Sequence, residues 1–410
     1  MTSDPPLTPF VWAFLPGEAE PVVAGVVAPS ATKVALSFRY ANSYLARADA
    51  ISIGPDLPLD AMTFPPAFGH NMPSSIRDAM PDTWGRQVIN RELGLDLEDQ
   101  LPDLRYMLES GSDRVGAIDF QASPTHYVAR SGAGRLSEVA RGAVTIDNDE
   151  SGPELTRAVR NTLTAAGGSQ PKAFVRFEGR QWLAKFETDY DRVSPLIKAE
   201  RAALHIAERA GIDVPAGRLV SLDDGRLVLL TERFDRVTGT DSNGVARRQV
   251  ISGLTVAEEH RSSGASYPLL VDNLRRIAAN PTDVGRELFR RLAFRIAMRI
   301  DDDHLRNVAF FWDGAHAQFT PAFDLSPDLI GVPVGLTDLG GGSREFSLAA
   351  LLRQRAHYFI DQREAESIVE SMIETVVAHR ADAAEVAMML PHEKQMLLAR
   401  TATTELRGHR

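Results

Sequence analysis

The 410-residue chain contains no cysteine. Disulfide bridges, thiolate nucleophiles and cysteine-based zinc sites are therefore excluded, so any bound metal must use oxygen or histidine ligands. Long hydrophobic runs are also missing, because apolar stretches such as 227–230 and 308–312 are far too short to cross a bilayer. Residues 1–6 have neither a basic region nor an apolar core, so they do not resemble a secretory signal. We expect a globular, cytoplasmic protein with no membrane contact.

Positive charge is scarce relative to negative charge. The chain has 45 Lys and Arg against 55 Asp and Glu, which gives a formal net charge of −10. A protein that coats nucleic acid neutralises phosphates with Lys and Arg, so this balance disfavours autonomous nucleic-acid binding. A local basic helix could still touch DNA within a complex. The length is typical of about two to three domains, and the 44% of hydrophobic residues can build sizeable cores.

Residues 1–150 show the alternation and the turn residues of a small β-rich module. The predicted strands cover residues 21–27, 33–40 and 45–53. The turn residues 54–56 close this set. A helical segment follows, with Ser74 as its cap and Gly94 as its C-terminal stop.

Residues from about 165 to 235 are predicted to form a small antiparallel sheet that carries one helix. Another helix, which begins near Pro153 and ends near Gly167, precedes this sheet. Glu178-Gly179 and Asp223-Asp224-Gly225 each separate two strand-like runs, which favours two hairpins. The predicted elements are strands over 173–177, 181–186, 218–222 and 226–232, and a helix over 195–210 that Gly211 stops.

Beyond residue 239 the apolar residues mostly follow the helical period. The predicted helices cover residues 267–278, 283–299, 348–352, 361–379 and 381–390. A β-like stretch over 308–323, broken at Asp313-Gly314, predicts a two-stranded insert among these helices. The chain is therefore predicted to be an α+β protein with three parts, 1–150, 151–238 and 239–410.

One segment has the layout of a phosphoryl-transfer centre. The chain reads I-D-D-D-H-L-R-N from residue 300 and F-T-P-A-F-D-L from residue 319. Phosphoryl transfer needs alignment and charge neutralisation more than covalent chemistry. Asp302 is placed to accept the proton of an attacking hydroxyl, while Asn307 and Asp324 offer oxygen ligands suited to Mg²⁺. Taken alone, the acidic run 301–303 is as typical of a solvated loop or a helix N-cap cluster as of a catalytic loop. The downstream Asn307 and Asp324 favour the catalytic interpretation.

Lys185 lies in the strand-like run 181–186, where it shares one face with Leu183. A lysine beside an apolar residue is a candidate to bind phosphate, although edge-strand lysines that prevent aggregation are common. Glu200, on the following helix, is a candidate partner for Lys185, like the helix glutamate that pairs with the strand lysine in protein kinases. An ordinary surface glutamate is the alternative for Glu200 alone.

The small-residue loop 165–172 precedes the first strand of that sheet and reads A-A-G-G-S-Q-P-K. Backbone N–H groups in such a loop can cradle phosphates. The loop lacks the Gly-Lys-Ser/Thr ending of a Walker loop, so a helix C-cap followed by a turn is the simpler explanation when it is considered alone.

The predicted helix over 283–299 carries five arginines, at 286, 290, 291, 295 and 299. Such a helix could present a face to nucleic acid. Leu288, Leu292 and Ile296 lie beside the arginines, so we interpret them as the polar side of a packed helix.

Taken together, these motifs resemble the HipA family of bacterial toxin kinases, the serine/threonine protein kinases of type II toxin–antitoxin modules. The most specific part is D-D-H-L-R-N at 302–307 followed by T-P-A-F-D at 320–324. These segments are similar to the family's D-x-H-x-K-N and T-P-x-x-D signatures, with Arg306 in place of lysine.

The resemblance extends through most of the chain. G-I-D-V-P at 211–215 supports it, and E-R-F-D-R at 232–236 is similar to the family's hinge. In the first part, M-P-D-T-W-G-R at 80–86 and V-G-A at 115–117 resemble the family's N-terminal subdomain.

The resemblance implies a protein-kinase-like two-lobed fold, with a small β-rich N-terminal subdomain and a mostly helical C-terminal lobe. It implies ATP and Mg²⁺ as cofactors, Asp302 as the proton acceptor, and Asn307 and Asp324 as metal ligands. The ATP-binding residues that it implies are Gly167, Gly168, Ser169, Gln170, Pro171 and Lys172 in the phosphate loop, Lys185 at the phosphates, Glu232, Arg233 and Phe234 beside the adenine, and His304, Arg306, Asn307 and Phe323 near the nucleotide.

The resemblance also implies partners and a form of control. The substrate would be a translation component such as an aminoacyl-tRNA synthetase, and a small helix-turn-helix antitoxin would link the chain to DNA only indirectly. Well-known members switch themselves off by phosphorylating a serine ahead of the loop, where this chain has Ala165. Thr162, Thr164 and Ser169 are candidate substitutes for that serine. Pro171 and Ile300 also depart from the family, which has Glu and often Asn at these positions.

Two other functions remain open from the sequence. A small-molecule kinase of similar architecture often has His two residues before its catalytic Asp, whereas this chain has Ile300. A non-catalytic partner in a DNA-bound repressor complex has no evident need for Asp302, Asn307, Asp324 and Lys185 together. We therefore expect a serine/threonine protein kinase.

Overall fold

The structure of the chain is a computed structural model that describes residues 7–30, 35–130, 132, 135–147, 157–164, 170–238, 245–259, 264–331 and 334–401. Over these residues α-helices and β-strands are mixed along the chain, which confirms the α+β class. Within these ranges, every helix is too short or too polar to span a lipid bilayer.

The elements of the described ranges follow one another in chain order. The strands are β1 (Phe10–Ala13), β2 (Val22–Pro29), β3 (Leu36–Tyr40), β4 (Thr63–Phe64), β5 (Ile118–Gln121), β6 (Lys172–Phe177), β7 (Arg180–Phe186), β8 (Gly217–Ser221), β9 (Leu227–Glu232), β10 (Arg236–Thr238), β11 (Val245–Arg247), β12 (Gln249–Ser252), β13 (Ala309–Trp312) and β14 (Ala317–Phe319). The helices are α1 (Asn42–Leu45), α2 (Ser74–Arg77), α3 (Thr83–Glu92), α4 (Asp103–Glu109), α5 (Leu136–Asp147), α6 (Arg157–Leu163), α7 (Leu196–Arg209), α8 (Gly253–Val256), α9 (Tyr267–Ile277), α10 (Val284–Ala297), α11 (Leu348–Arg353), α12 (Gln362–Val386) and α13 (Pro391–Arg400).

Contacts among the residues group the chain into two compact units. The first comprises Met1–Phe186, Glu232–Ile251 and Phe311–Ala315, and the second comprises Glu187–Thr231, Ser252–Phe310 and His316–Arg410. The first unit thus takes in two later segments of the chain. The division into 1–150, 151–238 and 239–410 rests on sequence patterns and stays a prediction.

The first unit contains a five-stranded antiparallel sheet in the order β4-β3-β2-β1-β5. Val11 of β1 lies opposite Gly25 of β2 and Phe120 of β5. Val11, Val27, Phe38 and Phe120 are all fully buried, because alternate strand residues face the same side of the sheet and pack into one core. The strand predicted over 21–27 is confirmed by β2.

The strand predicted over 45–53 is wrong. Residue 45 ends α1, and turns and irregular backbone follow it. The Ile53 amide donates to the hydroxyl of Tyr40 at 3.0 Å, and the hydroxyl of Tyr44 donates to the carbonyl oxygen of Ile51 at 2.8 Å. Because buried tyrosine hydroxyls satisfy these backbone groups, the segment needs no neighbouring strand.

The hairpin predicted around Glu178-Gly179 is confirmed by β6 and β7. Glu178 and Gly179 have φ angles of 49° and 79°, the positive values that a two-residue type I′ turn requires. The turn fixes the register, in which Lys172 lies opposite Lys185. Residues that are directly opposite in an antiparallel pair project from the same face of the sheet.

The second unit begins with α7 and the β8–β9 hairpin, both as predicted. Gly211 ends α7 with a φ of 69°, a left-handed conformation that glycine adopts without strain. Ile197 of α7 packs in one cluster with Leu227 and Leu229 of β9. The helix and the hairpin are therefore joined by a shared apolar contact.

The two helices predicted over 361–379 and 381–390 are a single helix of 25 residues, α12. The Asp361 side chain accepts a hydrogen bond from the Glu364 amide at 2.8 Å and caps its first turn. The predicted break at residue 380 is wrong, because Arg and Ala are good helix formers and no Gly or Pro interrupts the pattern there. The predicted strands on either side of Asp313-Gly314 are confirmed by β13 and β14.

Candidate active site

Helix α10 supports the loops that carry the predicted catalytic residues. Arg291, Arg295 and Arg299 are spaced four residues apart, so they follow one face of the helix and its end. They donate at 2.9, 2.6 and 2.9 Å to the carbonyl oxygens of Thr320, Asp302 and Gly331, respectively. Arg291 and Arg295 are buried, so these arginines hold loops in place instead of forming a solvated polar side as the sequence suggested.

The Asp302 backbone is fixed while its carboxylate is accessible. Its carbonyl oxygen accepts hydrogen bonds from Arg295 and, at 3.0 Å, from Nδ2 of Asn307. Its side chain is 60% exposed, and one carboxylate oxygen lies 3.4 Å from Nε2 of His304. A carboxylate that is held by its backbone and open to solvent can approach the hydroxyl of a substrate. This geometry suits a proton acceptor.

Asp303, next to Asp302, is fully buried and anchors a distant segment. Its Oδ1 accepts hydrogen bonds from the amides of Leu336 and Thr337 at 2.6 and 3.3 Å. Its carbonyl oxygen accepts from the hydroxyls of Tyr267 and Thr337 at 2.6 and 2.9 Å. Burial raises the pKa of the Asp303 carboxyl above its ordinary value. Asp303 thus connects the loop of Asp302 to residues 336–337 through hydrogen bonds. The sequence, which shows only three consecutive aspartates, did not predict this role.

Replacing Asp303 with alanine is expected to lower the free energy of unfolding by about 1–3 kcal/mol, because the amide of Leu336 and the buried amide of Thr337 lose their acceptor. Urea-induced unfolding followed by circular dichroism measures this loss. The matched control is Asp302→Ala, which removes an exposed carboxylate and should change the free energy of unfolding by less than about 0.5 kcal/mol. Equal losses in both variants would contradict the anchoring role of Asp303.

The T-P-A-F-D segment is held at two points before Asp324. The Thr320 hydroxyl donates to the carbonyl oxygen of Ala309 at 3.1 Å, and the Ala322 amide donates to the carbonyl oxygen of Asp213 at 2.7 Å. Asp324 itself has a φ of 55°, in the left-handed region that few residues other than glycine adopt. Such conformations cost on the order of 1–3 kcal/mol and concentrate at functional sites. The backbone of Asp324 is therefore held in an uncommon, left-handed conformation.

Asn307 and Asp324 fit a magnesium ion that is bound together with a nucleotide. Nδ2 of Asn307 donates a hydrogen bond to the carbonyl oxygen of Asp302. The side-chain oxygen of Asn307 is therefore the atom that would bind a cation. Mg²⁺ in kinases takes one or two protein oxygens and completes its shell with phosphates and water. Within the described ranges, no group of three or more His, Cys, Asp or Glu is placed to hold a metal ion by itself.

Glu200 is not a surface glutamate, because its side chain on α7 is only 2% exposed. One of its carboxylate oxygens accepts a hydrogen bond from the Ser326 hydroxyl at 2.9 Å. Ser326 lies two residues after Asp324, so α7 is connected to the loop of the predicted metal ligand. Sequence reasoning missed Ser326. The pairing of Glu200 with Lys185 stays a prediction.

Two buried lysines lie side by side in the first unit. Lys172 and Lys185 are 6% and 2% exposed and occupy one register position of the β6–β7 hairpin. The two ammonium groups therefore project from the same face of the hairpin. Gln170 is half-buried and Pro171 is buried beside Lys172. The other loop residues of the prediction, Gly167, Gly168 and Ser169, lie outside the described residues, as does Ala165.

The predicted hinge residues have different surroundings. The Glu232 carboxylate accepts a hydrogen bond from Arg180 at 3.0 Å. The Phe234 ring meets the ring of Phe311 edge-on, with centroids 5.8 Å apart. Arg233 is buried among aspartates.

Arg306 and Phe323 lie within the two segments that carry the predicted proton acceptor and metal ligands. Arg306 is exposed, and Phe323 is half-buried next to Asp324. The contact that each was predicted to make with the nucleotide stays a prediction, as does that of His304.

Thr162 and Thr164 are poor candidates for self-phosphorylation because both are buried. The Thr164 hydroxyl oxygen also accepts a hydrogen bond from the Gly111 amide at 2.9 Å. Neither hydroxyl is available to a kinase in this structure. The third candidate, Ser169, lies outside the described residues.

The fold is similar to that of a solved structure from Shewanella oneidensis, described as a toxin–antitoxin system HipA, HipB and operator DNA complex. The TM-score is 0.68 at 18% sequence identity, over 95% of this chain and 96% of that chain. A Helicobacter pylori structure described as the proinflammatory kinase CtkA aligns with 13% identity over 57% of this chain and 93% of that chain. Its TM-score of 0.34 is too low to indicate a shared fold. The chain thus shares its fold with the Shewanella structure.

Two family models cover most of the chain. The HipA-like C-terminal domain matches residues 164–380 and the HipA N-terminal domain matches residues 19–121. The chain therefore belongs to the HipA family. A curated Haemophilus influenzae protein described as a "Putative kinase" is 25% identical over 140 residues, which are 32% of this chain and 40% of that protein. The matched segment thus spans about two-fifths of that relative's length.

Proposed function

We propose that this chain is an ATP- and Mg²⁺-dependent serine/threonine protein kinase and the toxin of a HipA-like toxin–antitoxin module. The observation that carries the proposal is Asp302, whose backbone is held by Arg295 and Asn307 while its carboxylate is exposed. Membership of the HipA family and the similarity in fold to the Shewanella HipA structure support it.

In the proposed reaction a serine or threonine hydroxyl of the substrate attacks the γ-phosphorus of ATP. The bond from that phosphorus to the β-phosphate oxygen breaks, ADP leaves, and the hydroxyl proton passes to a carboxylate oxygen of Asp302. Asn307 and Asp324 would hold Mg²⁺, which neutralises charge on the phosphates when it is bound. Lys172 and Lys185 would bind the phosphates from one face of their hairpin.

The segment 232–236 would border the adenine through Glu232 and Phe234. The guanidinium of Arg233 is fully engaged with Asp113 and Asp235, so its side chain is not free to contact the base. Arg233 would therefore contribute to the adenine site only through its backbone.

The partners that we propose are those that membership of the HipA family implies. The Shewanella protein is described in a complex with HipB and operator DNA, and we propose that a small helix-turn-helix antitoxin likewise connects this chain to DNA. The net charge of −10 favours such indirect contact over binding to DNA by the chain itself. As substrate we propose a translation component such as an aminoacyl-tRNA synthetase, which would place the activity in the cytoplasm.

Calorimetric titration with a non-hydrolysable ATP analogue, with and without Mg²⁺, tests the cofactor assignment. Mg²⁺ should tighten binding of the analogue to the wild type. In Asp324→Asn, the increase in affinity that Mg²⁺ causes should be smaller by a factor of at least about ten, equivalent to roughly 1.4 kcal/mol. Asp272→Asn, which removes an exposed carboxylate on α9, is the control and should behave like the wild type. An unchanged Mg²⁺ effect in Asp324→Asn would exclude Asp324 as the metal ligand.

A further inference from the structure

Two arginines and two aspartates of the first unit form an ionic cluster, which we call the hinge cluster: Asp113, Arg233, Asp235 and Arg236. The side chains of Arg233, Asp235 and Arg236 are buried, and that of Asp113 is 29% exposed. Arg233 is 2.8 Å from Asp113 and 2.9 Å from Asp235. Arg236 is 2.8 Å from each of the same two carboxylates. The charges of the four side chains sum to zero. The cluster therefore brings together the predicted hinge and a residue about 120 positions earlier in the chain.

The electrostatics of the hinge cluster keep all four groups ionised. Burial would raise the pKa of Asp113, but the positive charges of Arg233 and Arg236 outweigh this effect and hold the pKa well below its ordinary value. The same two arginines lower the pKa of Asp235 to about 2 against the effect of its burial. A buried pair that loses one partner leaves an uncompensated charge, so each member depends on the others.

The backbone of the 113–117 loop is matched to this cluster. The carbonyl oxygen of Arg114 accepts hydrogen bonds from Arg233 and Arg236 at 2.9 and 2.5 Å. The Gly116 amide donates to Asp235 at 2.9 Å. Gly116 has a φ of 81°, and a Cβ atom there would come within 3.0 Å of the Gln249 side chain. Glycine is favoured at this position because other residues are strained at such a positive φ.

The hinge cluster is also connected to the strands that carry the two lysines. The Arg233 amide donates to the carbonyl oxygen of Gln181 on β7 at 2.9 Å. The Arg233 guanidinium lies 3.7 Å from the centroid of the Phe174 ring on β6. A shift of Arg233 would thus move Glu232 and Phe234, its chain neighbours, relative to the hairpin that carries Lys172 and Lys185.

We infer that Asp113, from the N-terminal part of the chain, is a positioning residue for the ATP-binding segment 232–236. It acts through Arg233 and Arg236 and does not touch the nucleotide itself. The N-terminal part would therefore be a component of the nucleotide site. This inference rests on the proposed function, because it assigns a role in ATP binding.

The test is Asp113→Asn, which removes one negative charge and leaves the two buried arginines with one aspartate. We expect the Kd and the KM for ATP to rise about tenfold, with kcat at saturating ATP within about twofold of the wild type. A second variant, Asp113→Glu, keeps the charge but displaces the carboxylate by one methylene, and should raise KM less. The double variant Asp113→Asn/Arg236→Gln restores neutrality and should recover most of the affinity.

The control is Asp119→Asn, a buried aspartate of the same unit that pairs with Arg114 and Arg130 but not with segment 232–236. It should lower the melting temperature and leave the KM for ATP unchanged. If both Asp113 variants lower the melting temperature without changing the KM for ATP, the cluster only stabilises the fold and the inference is overturned. Failure of the proposed function is distinct from this result, because the wild type itself would then bind no ATP.

Discussion

Replacing Asp302 with asparagine is expected to slow phosphoryl transfer about 10²- to 10⁴-fold, the usual contribution of a general base. Asparagine has nearly the same shape but cannot accept the proton of the attacking hydroxyl. The loop is held through the carbonyl oxygen of residue 302, which the substitution keeps. ATP affinity and the free energy of unfolding should therefore stay close to the wild-type values.

Single-turnover transfer from labelled ATP, measured at saturating nucleotide, isolates this effect from nucleotide binding. The matched control is Asp301→Asn, which removes the adjacent carboxylate in the same acidic run and should retain most of the activity. If Asp302→Asn keeps full activity, or if Asp301→Asn loses as much, the proton acceptor is not Asp302.

Replacing Lys185 with methionine is expected to lower kcat/KM for ATP about 10²- to 10³-fold, the loss typical of removing one group that stabilises developing charge. Methionine is unbranched and of similar length, and Lys185 shares its face of β7 with the apolar Leu183, so the variant should fold. Lys172 would remain at the same register position but would face the phosphates alone.

Steady-state kinetics with a titration of ATP measure this loss, and a melting curve confirms that the variant is folded. Lys394→Met is the control, since Lys394 pairs with Glu385 at the surface of the helices α12 and α13. An unchanged kcat/KM for ATP in Lys185→Met would show that the buried lysine does not bind phosphate.

The parts of the fold that the sequence predicted are those that local chemistry determines. Glu178-Gly179 between two strand-like runs favours a two-residue turn, and Gly211 ends α7 by its own conformation. The strand over 45–53 could not be excluded from its own residues. Its backbone groups bond to the hydroxyls of Tyr40 and Tyr44, and this arrangement depends on tertiary packing.

The candidate site shows the same distinction. The spacing of Asp302, Asn307 and Asp324 indicates the predicted chemistry from the sequence alone, and these roles stay a prediction. The burial of Asp303 could not be predicted, because it depends on Leu336 and Thr337, more than thirty residues away. Likewise Asp113 and Arg233 are 120 positions apart, and only the fold brings them together.

The most direct test of the central claim is incubation of the purified protein with γ-labelled ATP and Mg²⁺, with and without a cell extract, beside Asp324→Asn. We predict label on a protein, on serine or threonine, that is lost in the Asp324→Asn variant or when Mg²⁺ is chelated. Label on no protein at all, or equal labelling by wild type and variant, would contradict the assignment of this chain as a protein kinase with Asp324 at its metal site.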